Sequence, residues 1–525
     1  MTSNHLYQIE SKQLFSKSRL WQLQRDYFDQ AGIDAWRSGE VPHYITSNPA
    51  VGKAYAELVL AFLRDLSLKG QQKETVYLLE LGAGHGRLCY HFFKHFEKYY
   101  EHSALPLPPF CYILSDFTES NLSFWQEHPR LQPYLSLGWL DIALFDAESS
   151  DSIHLQSMDK TITRTSLAQP LIVIANYFFD TIPQELFHIE KNTLAYGLLS
   201  LSTEVDPDSM TTAELIASVQ LDFDYRDAKK PIYENEPVLD EMLENYRQKL
   251  DQTHLLFPDI GLRCLERLRQ LSQQGLLLLT ADKGAHSLRD IDHRPKPKLS
   301  SHGSFSLTVN YHAFSEYCTR QGGLPLFPGQ PHASLDLGCL LFLSEPNSYQ
   351  ETLNAFLRFV NDFGPDDYFS LKKLIEEHYN TLSVREIIAT LRLSGYDARI
   401  FGQMWPHLSQ IVSDISSKQR SMLFDATARI WDNYYPLGEA TDIPQILGDL
   451  LLLLDFYKEA IFYFEMSNII YEKASETLYK IALCYCLSGQ FAEASPLIME
   501  LYTNNPQDEA LQELIREFES NLSLS

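Results

Sequence analysis

Four unbroken apolar runs punctuate the first part of the chain: VYLLELG (76–82), FCYILSD (110–116), PLIVIAN (170–176) and GLLLLTAD (275–282). Each is short, rich in Val, Ile and Leu, and bounded by Gly, Pro, Asp or Asn. Continuous apolarity suits strands covered on both faces, the habit of a parallel sheet between helices. Stretches with helical periodicity separate the runs, so the pattern predicts an α/β domain with a doubly wound sheet. A polar, helical insertion is expected over about 190–274, and FSLTVNYHAFSEYC reads as strand then helix. The first forty residues read as amphipathic helix, with Leu14, Leu20, Leu23 and Phe28 among polar neighbours.

After Pro346 the strand pattern stops. Helical periodicity covers 354–363, 370–380, 384–393 and 419–434, and 441–525 repeats at a spacing of 34. In that register Leu447 aligns with Ile481, Gly448 with Ala482, Tyr457 with Phe491, Ala460 with Ala494 and Phe464 with Ile498. Small residues where helices cross and bulky ones in the groove match the tetratricopeptide (TPR) pattern. The expected organisation is an N-terminal helical segment (1–40), an α/β domain (41–345), a helical connector (346–440) and an all-α TPR-like tail with a capping helix (441–525).

Charge narrows the partners. The 525 residues carry 43 Lys and Arg against 69 Asp and Glu, a formal net charge of −26. So acidic a chain does not suit general nucleic-acid binding, which needs clustered cations against phosphates. The tail repeats that acidity, so a protein partner with a basic or neutral surface is expected there. Seven scattered cysteines without a C-x-x-C pair fit reduced thiols. The N-terminus lacks the marks of a secretory signal, and Ile443–Phe456 is broken by Asp449 and Asp455. A cytoplasmic protein with no membrane insertion is the expectation.

The strongest chemical signal is LLELGAGHGRL (78–88). A buried strand runs into Glu80 and a loop with Gly82, Gly84 and Gly86, then a helix begins near Arg87. Glycines allow positive φ and close backbone approach to a ligand. The spacing is not G-x-G-x-x-G, and no Lys–Ser/Thr pair follows, which weakens dinucleotide and P-loop readings. E-x-G-x-G-x-G after a strand is instead the pattern of S-adenosylmethionine (SAM) methyltransferases. Asp116, at the end of the next run, is placed to accept ribose hydroxyls, and ligands of open parallel sheets bind beyond such strand ends. Asn176, Tyr177 and Phe178 follow another run, where aromatic faces suit a sulfonium cation. His85 and His91 read as surface histidines. No metal-site spacing and no G-x-S-x-G elbow occurs.

Together, HYITSNPAVGKAYAELV (43–59), LLELGAGHGRL, IANYFFDTIP and FSLTVNYHAF resemble the successive motifs of MidA-type methyltransferases, relatives of the mitochondrial arginine methyltransferase of complex I assembly. The resemblance spans about 40–345 and implies a Rossmann-like class I SAM methyltransferase domain. It implies cofactor contacts at Thr46, Pro49, Glu80, Gly82, Ala83, Gly84, Gly86, Asp116 and Phe117. It also implies a substrate side at Asn176, Asp180 and Pro183, and a structural or site role for Asp282; Tyr177, from its place at the strand end, joins Asn176 and Asp180 as a catalytic candidate. The chain departs from the family at Ala50, where the family has Glu, and at Tyr177, where it has Glu again. The expected function is methyl transfer to a protein substrate recruited by the tail, at a nitrogen such as that of arginine. The alternative is an adaptor of reduced catalytic power, with the TPR-like tail carrying the function.

Overall fold

The computed structural model describes residues 6–330 and 334–522, with side chains of the last helix as far as Arg516. The extreme ends of the expected N-terminal segment and tail lie outside the described residues. Two compact units result, Met1–Phe369 and Ser370–Ser525.

The first unit is organised by a seven-stranded sheet. Its strands are β1 (Val76–Leu81), β2 (Phe110–Asp116), β3 (Leu140–Leu144), β4 (Leu171–Asn176), β5 (Gly275–Asp282), β6 (Leu324–Leu326) and β7 (Asp336–Leu343). In space they run β6-β7-β5-β4-β1-β2-β3. β3, β2, β1, β4 and β5 are mutually parallel, and β7 is antiparallel to both β5 and β6. The four apolar runs are β1, β2, β4 and β5. Every residue of β1, β2 and β5 is buried, as continuous apolarity requires. β3 escapes the apolar pattern because it carries a buried acid. Asp141 accepts backbone N–H bonds from Ile142, Ser157 and Met158 at 2.7–3.0 Å, which satisfies its carboxylate inside the core.

Strand order turns between β1 and β4, opening a crevice beyond their carboxyl ends. Helix α2 (Pro49–Leu68) packs beside helix α3 (Arg87–Glu101). Asn48 starts α2 by accepting the N–H groups of Ala50 and Val51, and Pro49 fills the first helical position.

Two expectations are corrected in this unit. The N-terminal segment is not all helix: Tyr7–Leu14 is a strand paired antiparallel with Thr193–Thr203, and helix α1 follows at Arg19–Ala31. Leu14 thus ends a strand, while Leu20 and Leu23 are buried on α1. The insertion holds the expected helices, Thr212–Ser218, Pro237–Lys249 and Asp259–Arg269, but is not helical throughout. Glu185–Glu190, Thr193–Thr203, Gln220–Asp227 and Gln252–Phe257 join Tyr7–Leu14 in a five-stranded antiparallel sheet, with helices between. Its polar, half-exposed strands give only alternating apolarity, which a search for continuous runs passes over.

The second unit is helical among its described residues. Helices from Val384–Leu393 to Tyr457–Ile470 share one core that includes Ile387, Phe401, Ile430, Leu447 and Phe464. The helix Ala398–Ile411, absent from the sequence reading, belongs to it. Helix pairs Ile443–Leu453/Tyr457–Ile470 and Ser475–Leu487/Phe491–Asn504 follow the 34-residue register. Ala460, Ala482 and Ala494 are fully buried. A Cβ on Gly448 would stand 2.5 Å from the Phe464 ring, so that crossing admits no side chain without movement.

Candidate active site

The glycine loop is built by its own backbone. Gly82, Gly84 and Gly86 all have positive φ (+57°, +55° and +74°), a region costly for residues with a Cβ. A Cβ at Gly84 would lie 2.8 Å from the Trp36 ring, and one at Gly82 would lie 3.1 Å from Phe178. The loop is a cradle that only glycine leaves open. The N–H of Gly84 donates to Asp116 Oδ2 (3.2 Å) and Trp125 Nε1 donates to the Gly84 carbonyl (2.9 Å). Asp116 Oδ1 accepts from the N–H and hydroxyl of Thr118. Asp116 is buried, and burial raises its carboxyl above the ordinary range despite these donors.

Beyond the loop opens a cavity of about 300 Å³, within the range of small-molecule sites. Thr46, Glu80, Gly82, Ala83, Gly84, Asp116, Phe117, Asn176, Tyr177, Asp180 and Pro183 all line it. Pro49 and Gly86 do not: Pro49 opens α2, and Gly86 caps α3. Glu80 Oε2 accepts from the Tyr112 hydroxyl at 2.8 Å, and burial pushes its carboxyl up to about 8.

On the opposite wall, the turn after β4 gathers a polar set. Tyr177 takes φ +46°, an uncommon conformation for a bulky residue and the kind of strain that concentrates at functional sites. Its N–H is fixed to the Ala281 carbonyl (3.1 Å). Asn176 Oδ1 accepts from Tyr55 at 2.6 Å, while its buried Nδ2 has no partner. Phe179 turns away into the core against Phe314. Asp180 and Asp282 are both buried and linked side chain to side chain, and the Oδ1 of each lacks any other donor. A proton carried by either carboxyl would give both oxygens a partner. Burial pushes Asp180 up to about 7, and burial plus the neighbouring carboxyl raises Asp282 well above the ordinary range. Tyr311 donates to Asp282 Oδ2 at 3.0 Å.

The motifs therefore meet in space. Tyr55 comes from the first, Gly82 and Gly84 from the second, Asn176 and Asp180 from the third, and Tyr311 from the fourth. Leu307 N–H reaches the Asp180 carbonyl and Val309 N–H the Lys283 carbonyl (3.1 and 3.0 Å). Tyr55 and Tyr311 act on Asn176 and Asp282 from helices, and nothing in their local sequence distinguishes them from core tyrosines. Helix α1 was also missed as a wall of the cavity, to which it contributes Trp21, Arg25 and Phe28. Arg25 pairs with Asp146 (2.9 Å) and lies over the Phe117 ring (4.5 Å).

The two histidines are not at the surface. His85 and His91 are 5% and 6% exposed. His85 stands edge-on to Trp36 and His43, its Nδ1 accepting from the Arg87 N–H at 3.0 Å. His91 lies where α3 meets Gly52 of α2. Burial pushes His85 well below the imidazole range and His91 down to about 3, so both are neutral near pH 7. Among the described residues no cluster of three or more His, Cys, Asp or Glu is placed to hold a metal, and no helix is long and apolar enough to cross a membrane.

This geometry defines a mainly parallel α/β domain with a glycine-cradled ligand crevice at the turn of its strand order. Residues 57–296, from α2 through β5, match the model of a family described as "Putative S-adenosyl-L-methionine-dependent methyltransferase". The cofactor expected from the glycine loop, SAM, is the one that description names. The chain is also similar to two crystal structures from Burkholderia thailandensis. One is of an uncharacterized superfamily protein (12% identity, 66% of this chain and 82% of that one, TM-score 0.36). The other is of a superfamily member bound to S-adenosyl-homocysteine (15% identity, 66% and 83%, TM-score 0.39). No curated protein matches the chain.

Proposed function

We propose that the chain is a SAM-dependent methyltransferase of class I, Rossmann-like topology. Its acceptor is a nitrogen of a protein substrate, recruited by a TPR-like tail in the cytoplasm. The observation that carries the reading is the pairing of an open glycine cradle with a buried polar turn across one cavity. Gly82, Gly84 and Asp116 would hold the cofactor, with Glu80 and Phe117 beside them. The cofactor supplies an electrophilic methyl group when bound.

Everything else falls to the chain. Asn176, fixed by Tyr55, offers its free amide N–H group to orient an acceptor. The Asp180 carboxyl, sharing its proton with Asp282, is poised to take a proton from the acceptor near neutral pH, where a general base works best. Trp36, Phe117 and Phe178 give the cavity aromatic walls, and alignment of acceptor and methyl group in such a site would supply much of the acceleration.

The reading is tested by incubating the full chain with methyl-labelled SAM and cell-lysate proteins. Label on a discrete protein band, lost in Asp116→Ala, is expected. SAM binding without label on any protein would contradict the proposed acceptor class.

A further inference from the structure

A second cavity, of about 270 Å³, adjoins the first and shares Lys283 and Ser300 with it. Its chemistry is the reverse. Glu80, Asp116, Asp146, Glu148 and Asp180 line the first cavity, whereas no carboxylate lines the second. Lys283, Arg294, Lys296 and Lys298 do. In a chain of net charge −26, four cations around one hollow with no carboxylate among them are conspicuous. Among the described residues, Lys283, Lys296 and Lys298 make no ion pair. Like charges gathered this way repel one another, and an anion in the hollow relieves that repulsion.

The segment that brings them together is RPKPK (294–298). Pro295 and Pro297 fix their own φ and restrict the residues before them, so little freedom is left to lose on binding. The segment is anchored at both ends. The Arg294 carbonyl accepts from the His254 N–H (3.1 Å), and Ser300–His302 pairs antiparallel with Ser304–Ser306, which lines the first cavity. Lys283 directly follows Asp282 at the carboxyl end of β5, its carbonyl held by Val309. Thr308 and Asn310 add polar groups to the wall.

We propose that the second cavity binds an anionic group, a carboxylate or a phosphate, and holds the methyl acceptor by it. The term acceptor rests on the methyltransferase reading; the anion site itself does not. The substrate is then a molecule with a nucleophile at Asp180 and an acidic group beyond Lys283, and a purely cationic arginine-rich segment is disfavoured.

The test uses the full chain, with fluorescein-labelled hexaglutamate as the carboxylate probe and inorganic tripolyphosphate as the phosphate probe. Each is titrated into the wild type and into Lys296→Gln/Lys298→Gln, two exposed positions away from the first cavity. SAM affinity is measured in parallel. The expected result is that at least one probe binds the wild type and loses tenfold or more in the double variant, while SAM affinity stays within twofold. Binding by hexaglutamate alone assigns a carboxylate, and by tripolyphosphate alone a phosphate. Neither probe binding, binding unchanged in the variant, or joint loss of SAM and probe would overturn the proposal. Probe binding without SAM binding would leave this site standing and remove the cofactor reading instead.

Discussion

The amide N–H of Gly84 donates to the carboxylate of Asp116 across 3.2 Å, tying the glycine loop to the end of β2. Asp116 thus shapes the cradle as well as lining it. Asp116→Ala removes an acceptor of charged character, a loss of about 1.5–3 kcal/mol. SAM affinity is expected to fall about tenfold or more by calorimetry, with an unchanged circular dichroism spectrum. Unaltered affinity would show that Asp116 serves only the loop behind it.

A second prediction concerns pH. The Asp180 carboxyl is raised to about 7 by burial, so it is a base only above that pH. Methyl transfer should rise with pH through about 7 to a plateau, and Asp180→Asn should lower the rate and flatten the profile. Stability should move the opposite way. A carboxyl with a raised folded-state value favours the fold below its ordinary range, and that contribution is lost as pH climbs through about 7. Asp180→Asn should therefore raise Tm relative to the wild type more at pH 8 than at pH 5. An equal shift at both values would contradict the shared-proton pair.

Glu80 gives a third. Burial lifts it to about 8, so much of it is protonated at pH 7.5. A sulfonium or ammonium group arriving beside it favours the carboxylate, and a proton leaves. Calorimetric enthalpies of SAM binding at pH 7.5 should differ between phosphate and Tris buffers by the proton released, and Glu80→Gln should abolish the difference. Buffer-independent enthalpy in the wild type would remove Glu80 from the cofactor's surroundings.

The fourth lies in the tail. Ala494 is fully buried, packed with Leu478, Ala482 and Ile498. Ala494→Trp overfills that crossing, at a cost of about 1–3 kcal/mol. The melting transition of the helical unit should fall by several degrees and partner capture should be lost, with SAM affinity unchanged. Collapse of SAM affinity in the same variant would mean that the tail and the cofactor site are not separate modules.

What the sequence revealed follows from what kind of signal each element carries. Strands β1, β2, β4 and β5 announce themselves because burial on both faces demands unbroken apolarity. The inserted sheet does not, since its strands keep polar residues such as Glu190, Asp222 and Asp224 on one side. Glycines of the cradle were legible because positive φ leaves few alternatives. Asp116 and Asn176 were legible because strand ends mark the crevice. Tyr55, Tyr311 and Arg25 were not, for their role arises only when distant helices converge on the turn after β4. His85 and His91 misled because their burial arises from packing against Trp36 and Gly52, which no local pattern records.

The cradle of Gly82 and Gly84 is proposed to hold SAM. That proposal is tested most directly by titrating SAM into the wild type and into Gly84→Arg, whose side chain would run into the Trp36 ring. Saturable heat in the wild type, abolished in a Gly84→Arg variant with an unchanged circular dichroism spectrum, is the predicted result. Absence of both heat and thermal shift in the wild type at millimolar SAM, or equal binding by both proteins, would contradict it.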